Sequence, residues 1–418
     1  MAEFKKNTQY YKFSMYGFLK NLRFFDAFFI LFLVGKGLPY TQIGILYAVR
    51  EIVINLLEVP SGFVADTYGR KTSLLGSFLA YIISFGIFYL SGSFGLFLAA
   101  FIFYGIGDAF RSGTHKAMIM DYLKINNWAD QKINYYGHTR SWSQMGSALS
   151  SLIAGVLVYY TGNYTNIFLY SIVPYLVNFG LIISYPNQLN YSSENNGKKR
   201  FNISETFKSF FKVIKYKSVI RIINTTAAHS AYLKAVKDYI QVLMVHVVVL
   251  VPLLNNADTE KKNGIFIGII YSVIYLLTSR ASAVSSRFAV NNKRNIAILT
   301  LLLGFALGAI SGVFYISEIW VPALLAFVGI YIVENIRKPI LTGYIADEVP
   351  NSILASVISA QSLLKTIMTA SIAVVFGFLA DHFNIGIAFI AISVILAVIS
   401  LILRIFFKNG LEQAAENH

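Results

Sequence analysis

Cysteine is absent from this 418-residue chain, and charged residues make up only 13% of it. The lack of cysteine excludes a disulfide scaffold and any metal site with cysteine ligands. The scarcity of charge, together with 56% hydrophobic residues and a mean hydropathy of +0.60, excludes an ordinary soluble domain. An HExxH motif, a glycine-rich phosphate loop and a nucleophile elbow are also missing, which argues against an integral membrane enzyme. We therefore expect no enzymatic activity, no metal and no cofactor.

Acidic residues are few compared with basic ones, 20 against 35, which gives a net charge of +15. In a soluble protein this excess would suggest nucleic acid. Here the basic residues lie mainly between apolar segments, so they indicate orientation in a membrane, and we expect no nucleic-acid partner.

Apolar runs of about 20 residues, each long enough to cross the hydrocarbon core of a bilayer, can be placed twelve times. The first shows no cleavable signal pattern, so we expect it to be retained. The predicted spans 1 to 12 are 11–34, 41–63, 72–92, 95–119, 138–160, 165–185, 218–250, 264–286, 295–316, 319–345, 353–379 and 384–406.

The loops carry an unequal distribution of lysine and arginine. The N-terminus, the tail and the loops that follow spans 2, 4, 6 and 8 are basic, whereas on the opposite side Lys261 and Lys262 are offset by Asp258 and Glu260. By the positive-inside rule both termini are cytoplasmic. We expect a multi-pass protein of the cytoplasmic (inner) membrane.

One long polar linker, 186–217, divides the chain into halves 1–185 and 218–418 with six spans each. Within the linker, apolar residues recur at helical spacing among lysines. This pattern is typical of an amphipathic helix on the cytoplasmic leaflet or of a short connector packed on the bundle. The residues concerned are Phe207, Phe210, Phe211 and Ile214.

The two halves contain the same charged pattern. Asp-Ala-Phe-Arg at 108–111 is followed by Asp121, and Glu-Asn-Ile-Arg at 334–337 is followed at the same spacing by Asp347. Both copies lie in hydrophobic segments, where an ionisable group is costly and indicates function. A duplicated membrane protein with such groups in matching places is typical of a transporter.

The loop between spans 2 and 3 reads Gly-Phe-Val-Ala-Asp-Thr-Tyr-Gly-Arg-Lys at 62–71. It resembles the Gly-x-x-x-Asp-(Arg/Lys)-x-Gly-Arg-(Arg/Lys) motif of the major facilitator superfamily, with Thr67 in place of the first basic residue. The resemblance covers the whole chain. It implies an all-α integral membrane fold of twelve transmembrane helices in two six-helix bundles related by a pseudo-twofold axis.

In that family the loop forms a cytoplasmic latch that stabilises the outward-open state. The resemblance places Asp66 at the positive start of helix 11, and Arg70 requires a carboxylate, for which Asp121 is the candidate. A generic tight loop remains the alternative. The expected latch residues are Gly62, Asp66, Gly69, Arg70, Lys71 and Asp121.

Two family motifs are missing. Proton-coupled relatives often place arginine four residues before a helix 4 glycine, but here Phe101 precedes Gly105. The Gly-Pro motif of drug antiporters is absent between Gly146 and Gly155 in span 5. Both departures disfavour a standard multidrug antiporter.

The resemblance also implies that spans 1, 4, 7 and 10 line a central cavity. The charges near the membrane midplane include more cations than carboxylates, which favours a substrate bearing carboxylate or phosphate. The expected substrate-binding residues are Arg23, Arg111, Lys237, Gln241, Glu334, Arg337 and Lys365. Alternatively, Asp108–Arg111 and Glu334–Arg337 are ion pairs that only stabilise their helices.

Proton coupling requires a carboxylate that can bind and release a proton. Asp26 and Asp108 are the candidates, because Arg23 and Arg111 stand one turn away. His229 is a weaker candidate that we interpret as a packed, hydrogen-bonded residue. The glycines 304, 308 and 312 indicate close helix packing in span 9.

These patterns predict a monomeric secondary active transporter that moves a small organic anion or zwitterion by alternating access, coupled to protons. The substrate classes considered are amino acids, carboxylates and siderophore-like metabolites. The alternatives are a multidrug/proton antiporter and a passive facilitator. The expected partners are the substrate, a proton or other coupling ion, and the lipid bilayer.

Overall fold

The computed structural model describes residues 6–190, 215–252, 258–288, 293–349 and 351–406, all of whose regular structure is helical. The predicted amphipathic segment of the linker lies outside the described residues. The first eight α-helices are α1 (Thr8–Leu19), α2 (Phe29–Gly35), α3 (Tyr40–Tyr68), α4 (Arg70–Leu90), α5 (Phe94–Arg111), α6 (Thr114–Ile125), α7 (Lys132–Thr161) and α8 (Asn166–Ile183). The remainder are α9 (Lys217–Val236), α10 (Ile240–Val249), α11 (Thr259–Phe288), α12 (Lys293–Ile316), α13 (Trp320–Glu348), α14 (Asn351–His382) and α15 (Ile385–Phe406).

Each predicted span corresponds to one helix or to one interrupted pair. Spans 1, 4 and 7 are the pairs α1–α2, α5–α6 and α9–α10, and the other nine are single helices. By length and apolar composition, eight helical segments of the described chain can cross a membrane. Spans 1, 2, 5 and 7 do not meet that criterion, since they are interrupted or carry more polar residues.

The three interruptions coincide with the charged clusters found in the sequence. A 3₁₀ turn at Phe24–Phe28 separates α1 from α2, and another at Lys237–Tyr239 separates α9 from α10. Gly113, with φ +75°, ends the break between α5 and α6. A broken helix inside a membrane requires partners for its freed carbonyl groups.

Tyrosine hydroxyl groups supply two of those partners. Tyr175 donates to the carbonyl oxygen of Lys20 at 2.9 Å, and Tyr331 donates to that of Lys237 at 2.8 Å. Each tyrosine hydroxyl therefore pairs a carbonyl group that the helix break has freed. Leaving that carbonyl group unpaired in hydrocarbon would cost free energy.

The chain separates into two compact units. The first contains Met1–Lys36, Val49–Arg200 and Pro252–Tyr275, and the second contains Gly37–Ala48, Phe201–Val251 and Leu276–His418. Helices α3 and α11 therefore contribute residues to both units. The domain bounds expected from the linker stay a prediction.

The first unit has an aromatic core. Phe168 stacks on Phe25 and Phe88 with ring centroids 5.0 and 4.9 Å away, and Phe29 stacks on Phe101 at 5.4 Å. All five rings are buried. Large aromatic rings fill this bundle and lose little side-chain entropy when they are buried. The bundle is therefore a rigid scaffold for the polar groups beside it.

The second unit instead combines a largely aliphatic cluster, which includes Val219, Ile222 and Ile353, with close helix contacts at glycine. A Cβ atom at position 312 would lie 2.5 Å from the carbonyl oxygen of Gly386. The glycines of span 9 therefore allow α12 to approach α15 closely.

The start of α3 belongs to the second unit and is held by a carboxylate. Asp381, near the end of α14, accepts hydrogen bonds from the backbone N–H groups of Tyr40 and Thr41 at 2.8 and 2.7 Å. It also accepts one from the Thr41 hydroxyl at 2.6 Å. A carboxylate at this position satisfies orphan donors of the first turn and complements the positive end of the helix dipole.

Candidate functional site

The charged group of the first unit is centred on α5. The Arg111 guanidinium donates to the Asp108 carboxylate at 2.8 Å, and the Tyr81 hydroxyl from α4 bonds to both side chains. Tyr81 can approach because Gly107 leaves room: a Cβ there would lie 2.8 Å from the ring. Asp108 and Arg111 thus form an intrahelical ion pair, as the one-turn spacing predicts.

A second pair lies at the break between α1 and α2. Arg23 contacts Asp26 at 2.7 Å and donates to the Tyr104 hydroxyl at 2.5 Å. The Arg50 guanidinium lies 6.0 Å from the centre of the Tyr104 ring. These contacts join α3, α5 and the first predicted span through polar groups.

A cavity of about 440 Å³ opens beside these pairs in the first unit. Its lining includes four lysine and arginine side chains and His115, but no aspartate or glutamate among the described residues. Hydroxyl and amide side chains supply most of its remaining polar groups. The four cations are Lys20, Arg111, Lys116 and Arg140.

Of these four cations, Arg111 has a carboxylate partner in the described structure. Lys20 and Lys116 instead lie near aromatic rings, at 5.9 Å from the centre of Tyr16 and 5.4 Å from that of Tyr136. Arg140 is exposed to the cavity. The cavity is therefore strongly electropositive and large enough for a small metabolite.

In the second unit, the repeated residues Glu334 and Arg337 do not have the same partners as Asp108 and Arg111. Glu334 makes no ion pair with Arg337. Its carboxylate accepts a hydrogen bond from the Ser230 hydroxyl and lies 2.8 Å from Nδ1 of His229, both on α9. The side chains of His229 and Glu334 are nearly inaccessible to solvent. The alternative in which Glu334 and Arg337 form an intrahelical pair is wrong, because each has found partners on another helix.

The two terminal nitrogens of the Arg337 guanidinium donate to neutral oxygen atoms. It donates to the carbonyl oxygens of Ala297 and Thr225 at 2.5 and 2.6 Å and to the Thr300 hydroxyl at 2.7 Å. The side chain is 1% exposed. These bonds connect α13 to α9 and α12, so the structure gives Arg337 a packing role rather than an open binding surface.

The remaining predicted binding residues lie in different environments. Lys237 is partly exposed, with Nζ 3.7 Å from Asp238, whose carboxylate also accepts a hydrogen bond from Tyr47 at 2.8 Å. Gln241 is buried in α10, and Lys365 is half-buried in α14. The 3₁₀ turn at Lys237–Tyr239 separates Lys237 from Gln241 within span 7.

The loop that resembles the family motif is held by two groups of the first unit. Arg70 forms an ion pair with Asp121 on α6. The Arg70 and Lys71 amide groups donate to the backbone and side-chain oxygens of Asn190 at 2.7 and 2.9 Å. Gly69 has φ +100°, and a Cβ there would lie 2.3 Å from the Asn190 side chain, so glycine is required on both grounds.

Two other members of the motif have open surroundings in the described structure. Asp66 is exposed, and nothing described lies within 4 Å of a Cβ added at Gly62. The expected contact of Asp66 with the start of helix 11 stays a prediction. So does the function of the loop as a latch. The side chain of Asp347, the counterpart of Asp121, lies outside the described residues.

Several polar groups of this site were not selected from the sequence. Lys116 and Arg140 lie towards the ends of apolar segments, where a basic residue is usually interpreted as a loop charge, whereas Lys20 lies inside the first predicted span. A usable signal was present on α7. Arg140, Gln144 and Ser147 recur at helical spacing in a predicted span, which indicates a wet face.

Comparison with known proteins agrees with this architecture. The sequence profile of the Major Facilitator Superfamily matches residues 18–370. The chain belongs to that superfamily. It is a multi-pass membrane transporter, and the predicted all-helical fold is confirmed.

Individual members of the superfamily are distant in sequence. The chain is 24% identical over 382 residues to the uncharacterized MFS-type transporter YxaM of Bacillus subtilis (strain 168), covering 90% of this chain and 89% of YxaM. It is 27% identical over 122 residues to the hexuronate transporter of the same organism, 29% of this chain and 28% of that protein. The crystal structure of the nucleoside transporter NupG matches with a TM-score of 0.73 at 13% identity, covering 97% and 100% of the two chains. The last similarity shows the fold alone.

Proposed function

We propose that this transporter moves a small organic anion or zwitterion across the cytoplasmic membrane by alternating access, driven by protons. Amino acids, carboxylates and siderophore-like metabolites are the substrate classes considered. The observation that carries the proposal is the cavity of the first unit, whose lining combines four cations with no described carboxylate.

The charge of this cavity selects the class of ligand. Lys20, Lys116 and Arg140 have no carboxylate partner in the described structure, so an entering carboxylate or phosphate gains attraction without displacing an existing ion pair. Arg111 can add a planar pair of donors. A lipophilic cation would meet repulsion instead, which disfavours the multidrug alternative.

One relative supports the same class. The name of the hexuronate transporter specifies a sugar acid, which is an organic anion, and the matched stretch covers 122 residues. A hexuronate is therefore a reasonable first probe. In the second unit, Lys237, Gln241 and Lys365 remain the proposed substrate contacts.

Coupling to protons is proposed through the two aspartate–arginine pairs of the first unit. Protonation of Asp26 or Asp108 would release Arg23 or Arg111 from its partner. The released guanidinium could then bind the substrate anion. The Arg70–Asp121 pair would stabilise one of the alternating states as a latch.

A ligand screen on the purified protein tests the substrate class, because a ligand that binds the folded state raises its unfolding temperature. The panel should contain D-glucuronate, citrate, glutamate and tetraphenylphosphonium. We expect stabilisation by at least one anion or zwitterion and none by tetraphenylphosphonium. Stabilisation by the lipophilic cation alone would refute the proposal.

Uptake into proteoliposomes then tests the coupling. The stabilising compound is supplied outside, with and without an inward pH gradient. We expect accumulation above equilibrium only when the gradient is present. Equal uptake under both conditions would identify a passive facilitator.

A further inference from the structure

The second unit contains a buried carboxylate–imidazole pair that the proposed transport cycle has not yet used. The side chains of Glu334 on α13 and His229 on α9 are 5% and 1% exposed, and Oε2 lies 2.8 Å from Nδ1. The other carboxylate oxygen, Oε1, accepts the hydrogen bond of Ser230. Both oxygens of the carboxylate therefore have a hydrogen-bonding neighbour.

The partners of Glu334 differ from those of Asp26, Glu51 and Asp108. Asp26, Glu51 and Asp108 each contact an arginine, which always carries its charge. Unless a substrate anion is bound, a proton on one of those carboxylates leaves a guanidinium without a counter-charge, which is costly in a medium of low dielectric constant. Glu334 contacts a hydroxyl and an imidazole, so a proton can be added without separating an ion pair.

Among the described residues, two cations of α13 also act on the pair. Arg337 is engaged by oxygens of α9 and α12, and Lys338 is exposed. Both exert an electrostatic effect on His229, and Lys338 also acts on Glu334. On α12 the polar side chain one turn before Gly304 is Thr300, which does not titrate and is bonded to Arg337.

We propose that His229 and Glu334 together form a proton-binding site of the transporter. The inference rests on the proposed coupling of transport to protons. In the unprotonated pair, Nδ1 holds the ring hydrogen because it faces the carboxylate, and Nε2 carries the free lone pair. A proton arriving from water binds Nε2, which changes the charge of the pair from minus one to zero; no other bond is formed or broken.

The position of Nε2 links this proton to the conformation of the helices. A Cβ atom at Gly304 of α12 would lie 2.0 Å from Nε2, so the ring is packed directly against the glycine. In the described structure Nε2 has no hydrogen-bond partner. A lone pair tolerates that position, whereas an N–H group there would be a buried donor without an acceptor.

It follows that the described arrangement of α9, α12 and α13 favours the unprotonated pair. Protonation favours an arrangement in which the ring leaves Gly304 and finds an acceptor. A ligand that binds one of two conformations more tightly shifts the population towards it. Here the ligand is the proton.

Nitrogen-15 NMR of the full chain, labelled at its histidines and reconstituted in lipid nanodiscs, tests the site without any substrate. The chain has six histidines, and the signal that His229→Gln removes is that of His229. We expect His229 to change protonation between about pH 5 and 8. In Glu334→Gln its midpoint should fall by at least about one pH unit, because the opposite charge is lost. The matched control Glu58→Gln, which removes an exposed carboxylate of α3, should leave the midpoint unchanged.

Two glycine variants separate a specific contact from general packing. Gly304→Ala should move the His229 midpoint upward, because the ring can no longer occupy the position without an acceptor. Gly308→Ala is the matched control on the same helix, since its Cβ would meet the Tyr232 hydroxyl at 2.3 Å rather than His229. A His229 ring that stays neutral throughout the range, or a midpoint that Glu334→Gln does not move, overturns the proposal.

Transport separates failure of this inference from failure of the proposed function. With D-glucuronate as the probe, Glu334→Gln should retain exchange of labelled for unlabelled compound and lose accumulation driven by a pH gradient. If the wild type does not carry D-glucuronate, the probe is wrong and the NMR result still decides the site. If Glu334→Gln accumulates the probe as the wild type does, the pair is not the coupling site.

Discussion

The Asp108 carboxylate and the Arg111 guanidinium lie 2.8 Å apart on successive turns of α5, and the Tyr81 hydroxyl bonds to both. The pair stands at the edge of the electropositive cavity, to whose lining Arg111 belongs. The same arginine thus has a structural partner and access to a ligand, and variants can separate the two roles.

The single changes Asp108→Asn and Arg111→Gln and the double variant test that separation. We expect both singles to lose D-glucuronate uptake and the double to remain inactive, because Arg111 is also needed for the anion. Each single change should reduce stability by no more than about 3 kcal/mol, since the pair is only partly buried. Arg111→Lys should not restore full uptake, because the planar guanidinium is lost. Recovery in the double variant would assign Arg111 a purely structural role.

Cations that line the cavity should contribute to affinity according to their burial. Removing half-buried Lys20 as Lys20→Gln should weaken anion binding by roughly 30-fold or more, equivalent to about 2 kcal/mol. Removing exposed Arg140 as Arg140→Gln should weaken anion binding about fivefold, equivalent to about 1 kcal/mol. The ligand-induced rise in unfolding temperature measures both effects.

The control for that series is Lys36→Gln, which removes an exposed lysine that does not line the cavity. It should bind the anion as the wild type does. A loss of equal size in Lys36→Gln would mean that net charge, not the cavity, determines affinity.

Arg337 should act on stability rather than on substrate affinity. Arg337→Met leaves two buried carbonyl oxygens and a hydroxyl without their donor, and each unsatisfied group costs about 1–3 kcal/mol. We expect a large fall in unfolding temperature compared with Lys338→Met, its exposed neighbour. If Arg337→Met keeps its unfolding temperature and binds the anion more weakly, Arg337 contacts the substrate.

Two variants of the loop between α3 and α4 should separate an effect on folding from an effect on transport. Gly69→Ala should destabilise the protein by more than about 1 kcal/mol, because its φ is positive and its Cβ would collide with Asn190. Asp66→Asn, at an exposed position, should leave the unfolding temperature unchanged and reduce uptake if the loop is a latch. Normal uptake in Asp66→Asn would leave the loop with a role in topology alone.

The carboxylate that holds the start of α3 should have a measurable stability effect. Asp381→Ala removes three hydrogen-bond acceptor contacts from the first turn, with an expected loss of about 1–2 kcal/mol. Asp258→Ala is the control, because Asp258 is exposed and paired with Lys261 on the surface. Similar unfolding temperatures for the two variants would contradict the capping role.

The helices could be predicted from the sequence because a bilayer sets their length. Nine spans are single helices close to the expected bounds, whereas the breaks in spans 1 and 7 gave no local signal. Neither 3₁₀ turn contains glycine or proline, and each is stabilised by distant contacts, such as Tyr331 to the carbonyl oxygen of Lys237. Local propensity cannot show a partner that far along the chain.

The candidate site could also be predicted from the sequence only in part. The spacing of Asp108 and Arg111 correctly indicates an ion pair, but the identical spacing of Glu334 and Arg337 does not produce one. The difference arises on the neighbouring helices, where Tyr81 bridges the first pair and His229 occupies the second carboxylate. Repeated sequence therefore identifies equivalent positions, while the surrounding side chains decide their chemistry.

The absence of a side chain at Gly304 has a consequence for how this protein diverges among homologues. Because the His229 ring occupies the space of the missing methyl group, positions 229 and 304 cannot change independently. Alanine or serine at position 304 should appear only in chains that carry a smaller residue at 229. Where both have changed, the partner of Glu334 is gone, and under the proposed coupling such a homologue would draw its energy from a different ion or from none.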